Sequence, residues 1–314
     1  MMVGHAMLAF AVATAVAMRR WPSERALAFG IAAGAFAAVP DVDMFYAVVG
    51  LAQAGVGGVW EMTEAFWGSS HLVHRAVTHS LVVGIIGTAG FVGSVTDRWR
   101  PISGLLLAGL TAVAFAESGL LGGIVMLVFA VTGVAVAVAL ARATDLGPRA
   151  LVSAALVGLL SHPFGDLFTG APPRFLYPFD VRLLTERVVL LADPTLNLLA
   201  VFGVELATIW LAGYVYLRAT DRRVFAHIDT RAAVGVAYAI AAITMPAPTM
   251  EVSYHFVFSI LAVGMVGVAP HLLPSRSVLS AEWDEGVTWV LTGLTAVSVA
   301  GLTYTLVYVI YPFP

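Results

Sequence analysis

Apolar stretches of about twenty residues, the length needed to cross the hydrocarbon of a bilayer, follow one another along nearly the whole of this 314-residue chain, with only short polar breaks between them. Such a chain has too little polar surface to stay in water: 60% of its residues are hydrophobic and 11% are charged, against about 25% charged in an ordinary soluble domain. Its mean hydropathy is +0.92. The pattern predicts an all-α fold, a polytopic transmembrane helical bundle with no soluble domain. Apolar runs bounded by charge, Pro or Gly place about ten spans, near 3–18, 26–42, 76–96, 102–117, 119–140, 149–168, 195–217, 231–247, 252–273 and 287–310. The run from Ile102 to Ala141 is too long for one helix, and Glu117, Ser118 and Gly119 read as a tight turn between two short spans. Segment 44–70, with Gly55, Gly57, Gly58 and Trp60, is apolar but broken, which suits an interfacial or re-entrant stretch.

Several classes are excluded or disfavoured. Cysteine is absent, so any metal must take N and O ligands and no thiol nucleophile exists. A net charge of −3 argues against a nucleic-acid partner. The N-terminal apolar run has Arg19, Arg20 and Arg25 behind it and no Arg or Lys before it, so it reads as an uncleaved first span and not as a signal peptide. Of the 16 basic residues, all Arg, twelve fall on one side: Arg19, Arg20, Arg25, Arg98, Arg100, Arg142, Arg149, Arg218, Arg222, Arg223, Arg231 and Arg276. Basic residues are enriched in cytoplasmic loops, so both termini are expected outside. Arg75, Arg174, Arg182 and Arg187 stay on the other side.

Three polar signatures interrupt the apolar background: PDVD at Pro40 to Asp43, HRAVTHS at His74 to Ser80, and SHPFGD at Ser161 to Asp166 followed by Thr169; His5 joins them. With spans alternating in direction, His5 opens the first, PDVD ends the second, HRAVTHS opens the third and His162 with Asp166 closes the sixth. All four land at the outer end. Ionisable groups in hydrocarbon cost roughly 2.5–3.5 kcal/mol each on insertion scales, so gathering them in one plane points to use. Imidazole and carboxylate suit Zn, Mn or Fe, and bridging carboxylates allow more than one ion. His162 and Asp166, four apart, share a helix face, although Pro163 disfavours helical geometry at His162. His74 and His79, five apart, do not share one face. One of them belongs in the entry turn, with Thr78 or Ser80 supplying supporting hydrogen bonds.

Each group also has a plain reading. Asp41 and Asp43 can simply end a span in water, His5 can be a terminal interfacial side chain, His71 a loop residue and Arg75 a headgroup anchor. Taken together, His74, His79, His162 and Asp166 favour a metal site. Glu117, Asp193 and the pair Glu251 and His255 are further candidates on the outer side. Glu251 equally suits the first turn of a helix. Glu205 lies inside its span and must face protein or a cavity. His227 and His271 fall on the cytoplasmic side.

In this order and spacing, PDVD, HRAVTHS and SHPFGDLFT resemble the YdjM family of inner-membrane, metal-dependent hydrolases over roughly residues 1–195. The resemblance implies a prokaryotic, multi-pass plasma-membrane protein. It also implies a metal set of His5, Asp41, Asp43, His74, His79, His162 and Asp166, with the YPF at Tyr177 to Phe179 as a following motif. Ala76 stands where the family is expected to have Gly, and Pro163 and Gly165 replace aliphatic residues. Residues 196–314 lie beyond the resemblance as additional C-terminal transmembrane helices. A fainter likeness is to zinc-dependent phospholipases C, which combine an early His, a mid-chain Asp and an HxxxD helix, and it favours phosphoester cleavage.

The expected function is an integral membrane metal-dependent hydrolase that cleaves an ester or phosphoester of a membrane lipid or lipid-like substrate at the outer face. It would use one to three divalent ions, zinc first and Mn or Fe as alternatives. Arg75 is the expected phosphate ligand, and Asp43 of the PDVD pair, or Glu251, the expected general base. A transporter or metal-handling protein would use the same cluster to pass an ion, but needs a polar path to the inner face, for which the sequence offers little beyond Glu205. An intramembrane protease lacks HExxH. A scaffold with structural zinc would need only four ligands, fewer than the seven available.

Overall fold

The computed structural model describes residues 2–45, 58, 61–62, 75, 77–269 and 283–311. Most of segment 44–70, together with His71, His74 and His271, lies outside the described residues. Among the described residues every regular element is helical. Four stretches, Asp97–Ala143, Pro148–Phe168, Pro194–Ala219 and Trp283–Ile310, are long and apolar enough to cross a membrane. Shorter apolar helices cover Val3–Ala17, Leu81–Ser94, Thr230–Thr244 and Tyr254–Gly267. The chain divides into two compact units, Met1–Val188 and Val189–Pro314.

The first unit contains α1 (Met2–Ala17), α2 (Ser23–Ala38), a 3-10 turn (Pro40–Phe45), α3 (Leu81–Ser94), α4 (Arg100–Ala143) and α5 (Pro148–Gly165), which runs on into a 3-10 turn (Asp166–Phe168). Small residues let these helices approach closely, as membrane helices need when hydrophobic exclusion from water no longer drives them together. A Cβ on Gly34 would stand 2.9 Å from the carbonyl of Ala6 on α1. One on Gly158 of α5 would stand 2.6 Å from the backbone N of Ala37 on α2, and closer still to the carbonyl of Ala33. The larger side chains Phe36, Phe91 and Phe129 fill the space between α2, α3 and α4, with ring centroids 6.5 and 5.2 Å apart.

Helix α4 is a hairpin. Gly119 takes φ 69°, ψ −164°, a region open essentially to Gly alone. A Cβ on Gly122 would lie 2.8 Å from the carbonyl of Ala114, and one on Gly123 would lie 3.1 Å from Cβ of Phe115. Residues eight apart are about 12 Å distant in a straight helix, so the two arms fold back on each other at the Glu117–Gly119 break.

One expected boundary moves for an identifiable reason, and one expected distortion is absent. Helix α3 begins at Leu81 and not near 76, because the Ser80 hydroxyl accepts hydrogen bonds from the backbone N–H groups of Val82 and Val83 and caps it. Val77, Thr78 and His79 therefore stay outside the helix, free to aim their polar groups elsewhere. In α5 the helix continues through Pro163 to Gly165, so His162 keeps helical geometry and reaches Asp166.

The second unit contains α6 (Pro194–Ala219), α7 (Ala239–Thr244), α8 (Tyr254–Val263) and α9 (Trp283–Ile310), with 3-10 stretches at Thr230–Tyr238 and Gly264–Gly267. The span expected at 231–247 opens as 3-10 helix because its buried residues, Ala232, Gly235 and Tyr238, recur every three positions, the repeat that lines one face of a 3-10 helix. Phe202, Tyr238, Phe256 and Tyr304 form its aromatic core.

Candidate metal centre

Four separate parts of the first unit deliver ionisable side chains to one buried point. His5 comes from the first turns of α1, and Asp41 and Asp43 from the 3-10 turn after α2. Arg75 and His79 come from the segment before α3, and His162 and Asp166 from the end of α5. His5, Asp43, His79, His162 and Asp166 are each at most 4% exposed. His74 lies outside the described residues.

Asp166 is the hub. Its Oδ1 lies 3.2 Å from His5 Nε2 and 3.0 Å from Arg75 Nη2, while its Oδ2 lies 3.1 Å from His79 Nε2 and 3.8 Å from His162 Nε2. Asp41 Oδ1 closes the ring, 3.7 Å from His79 Nε2 and 3.6 Å from His162 Nε2. Ligands held at about 2.1 Å around a tetrahedral zinc stand roughly 3.4 Å apart, so the 3.1–3.8 Å spacings among these four side chains already suit a divalent ion. Two triads have their ligand atoms within 4.8 Å of one another: His5, Asp41 and His162, and His79, His162 and Asp166.

Two further observations fit a metal. His162 Nδ1 donates to the backbone carbonyl of Ala37 at 2.6 Å, which fixes the tautomer and leaves the Nε2 lone pair facing the cluster. His162 Nε2 and Asp41 Oδ2 are buried and make no hydrogen bond, an expensive condition unless something else satisfies them.

The carboxylates around His79 favour its charged form. Burial alone would depress His79, but the adjacent Asp166, Asp41 and Asp43 carboxylates outweigh it and push the imidazole up to about 9. Burial raises Asp41, yet the neighbouring imidazoles of His79, His162 and His5 bring it below the ordinary carboxylate value.

Asp43 occupies a different place from Asp41. Its Oδ2 accepts from the Thr78 hydroxyl and from the Arg75 backbone N–H, both at 3.1 Å, and lies 3.5 Å from His79 Nδ1. Thr78 Oγ1 also lies 2.9 Å from His79 Nδ1. With the hydroxyl donating to Asp43, Nδ1 donates to the hydroxyl and Nε2 faces the centre. Asp43 thus stands behind His79, outside both triads. The expectation that Thr78 or Ser80 would supply supporting hydrogen bonds resolves to Thr78, since Ser80 caps α3 and donates to the carbonyls of Phe175 and Tyr177.

Arg75 has left-handed backbone, φ 70°. Its guanidinium donates to Asp166 Oδ1 at 3.0 Å, to the Thr169 hydroxyl at 2.6 Å and to the Ala171 carbonyl at 3.2 Å. It therefore ties the 3-10 turn carrying Asp166 to the following loop. Burial, despite the nearby Asp166, Asp41 and Asp43 carboxylates, draws it below the usual arginine value.

A family model described as YdjM inner membrane protein matches residues 1–247. The chain belongs to the YdjM family. No curated protein and no solved structure matches it. As a YdjM protein with apolar, membrane-length helices, it is a multi-pass protein of a prokaryotic plasma membrane. Its motif residues His5, Asp41, His79, His162 and Asp166 meet at the cluster just described.

Sequence reasoning missed two contributors to this YdjM centre. The Ala37 carbonyl carries no side-chain signal. Gly165 looked like a departure from the family pattern, but a Cβ there would stand 2.5 Å from Cε1 of His5 and closer to Nδ1, so the glycine makes room for the imidazole. The other candidates have structural partners of their own, are exposed, or belong to the second unit. Glu117 is exposed on α4. Asp193 caps α6 and accepts from Tyr308. His227 pairs with Thr288, and Glu251 and His255 belong to the second unit.

Proposed function

We propose that this YdjM protein is a metal-dependent hydrolase that cleaves an ester or phosphoester of a membrane lipid at the outer headgroup level. The observation that carries the reading is the set of ligand atoms already spaced for a divalent ion, Asp41 Oδ1 and Asp166 Oδ2 with the Nε2 atoms of His79 and His162, among which the buried His162 Nε2 makes no hydrogen bond. His5, Asp41, His79, His162 and Asp166 hold one to three ions, zinc first and Mn or Fe as alternatives, and His74 is retained as a further ligand. An ion held there would supply Lewis acidity, lowering the pKa of water toward neutrality and offsetting oxyanion charge. Asp43 is assigned to orienting His79 through the Thr78 hydroxyl, in preference to direct ligation. Arg75 holds Asp166 in place and brings positive charge to the edge of the site, where a phosphate oxygen would lie.

In this reading the chain crosses the membrane about ten times, counting the two arms of α4 separately and the shorter apolar helices as crossings, and the Arg distribution puts the centre outside. Residues 1–195 form the hydrolase domain and 196–314 extend the membrane body.

The test is elemental mass spectrometry on detergent-purified protein, wild type beside His162→Ala and Asp166→Ala, with phosphate and lysolipid release from membrane lipids followed in parallel. Bound metal lost in both variants together with lipid turnover supports the hydrolase. Metal without turnover redirects the reading to ion handling, and no metal after reloading with Zn or Mn removes the site.

A further inference from the structure

Between the arms of the α4 hairpin runs an open groove of about 660 Å³. Ala108, Ala112 and Phe115 line it on one arm, and Leu120, Ile124 and Leu127 on the other. Thr111 is the one hydroxyl-bearing residue along it, and its Oγ1 donates to the Leu107 carbonyl within its own helix. The lining therefore offers a ligand no free side-chain donor and is otherwise apolar, so a hydrocarbon chain is complementary to it.

Its depth and direction can be read from the packing on α3. Gly90 of α3 meets Leu107 of the first arm, and Phe91 of α3 meets Phe129 of the second. His79 precedes α3, so this level lies about 15 Å from the metal centre along the helix axis. Both arms then climb toward the centre and meet at Gly119. The groove spans Leu107 to Phe115, about 12 Å of helix, close to the roughly 15 Å hydrocarbon depth of one leaflet. Helix α4 also packs against the Pro40–Phe45 turn that carries Asp41 and Asp43.

We infer that this groove seats one acyl chain of a lipid whose headgroup lies at the His/Asp centre; the assignment of that lipid as substrate rests on the proposed hydrolase reading. The small side chains of Ala108 and Ala112 create the hollow and Phe115 and Leu120 mark its mouth. A chain entering there points its ester end toward the turn that bears Asp41.

The test uses the full chain in phosphatidylglycerol and phosphatidylethanolamine vesicles containing a phospholipid with a diazirine in mid acyl chain. After photolysis, labelled residues are mapped by mass spectrometry. Labelling of Ile124 and Leu127 should exceed that of Leu105, which is 74% exposed on the same helix but outside the groove. In Ala112→Phe and Ala108→Phe it should fall to the Leu105 level with metal content unchanged. Turnover of a long-chain phospholipid should fall at least about tenfold, the loss expected when even one methylene is excluded from an apolar pocket, while turnover of a soluble aryl phosphoester stays the same. Equal labelling of groove and Leu105, or equal loss on both substrates, overturns the groove. Groove labelling with no turnover of either substrate by wild type keeps the lipid seat and sinks the hydrolase instead.

Discussion

Replacing Gly158 by Ala tests whether the backbone of α2 sets the metal affinity of α5. The new Cβ would stand 2.6 Å from Ala37 N and closer to Ala33 O, whereas ordinary contact begins at 3.4 Å. The helices must separate by the difference, about 0.8 Å, or more. The His162 Nδ1 to Ala37 O bond, 2.6 Å, would then open to about 3.4 Å, beyond the 2.7–3.2 Å range of a sound N–H···O bond. Loss of such an outer partner lowers metal affinity by about 10–100-fold, or roughly 1.4–2.7 kcal/mol, and overpacking adds about 1–3 kcal/mol of destabilisation. Zinc affinity is measured in detergent by competition with a chromophoric chelator, with size-exclusion and thermal unfolding as checks of folding. Gly147→Ala, where a Cβ meets nothing within 4 Å, is the control and should match wild type. A folded Gly158→Ala protein with wild-type zinc affinity would refute the claim that α2 orients His162.

Three other outcomes follow from the same geometry. Gly165→Ala should displace His5 from Asp166 and weaken zinc binding with little change in helix content by circular dichroism, since the added methyl meets the His5 ring and not the fold. Thr78→Val should weaken zinc binding by about 10-fold or more and Thr78→Ser should restore it, because the hydroxyl between His79 and Asp43 is what matters. Gly119→Ala should cost about 1–3 kcal/mol in thermal unfolding while leaving zinc affinity intact, since the strain lies at the tip of α4 and not among the ligands.

The sequence made the convergence of His5, Asp41, His79, His162 and Asp166 legible, because each sits at a helix end and alternating spans bring those ends to one face. The hairpin was legible for a similar reason: Glu117, Ser118 and Gly119 break an apolar run too long for one crossing. The distinction between Asp41 and Asp43 was not. Two carboxylates two residues apart in a helical turn point in different directions, and which of them faces the imidazole Nε2 atoms and which stands behind His79 is set by how that turn docks on the rest of the unit. Arg75 was likewise opaque, because its left-handed backbone and its bonds to Thr169 and Ala171 depend on a loop about 90 residues away in the chain. The Ala37 carbonyl, a main-chain atom, has no letter of its own.

His5 and Asp166 are 161 residues apart in the chain yet hydrogen bonded. At a synthesis rate of about 5–20 residues per second, roughly 8–30 seconds separate the emergence of the first from that of the second. During that interval His5 and Asp41 must wait at the membrane without the carboxylate that later joins them. Placement at helix ends makes the wait tolerable, since headgroups and water can solvate them there, whereas the same groups at mid-depth would resist insertion. On the proposed reading, an address for the site at the membrane surface would serve the biogenesis of the protein as well as its chemistry. A nascent chain released before Asp166 would have its ligands in the membrane and no centre to show for them.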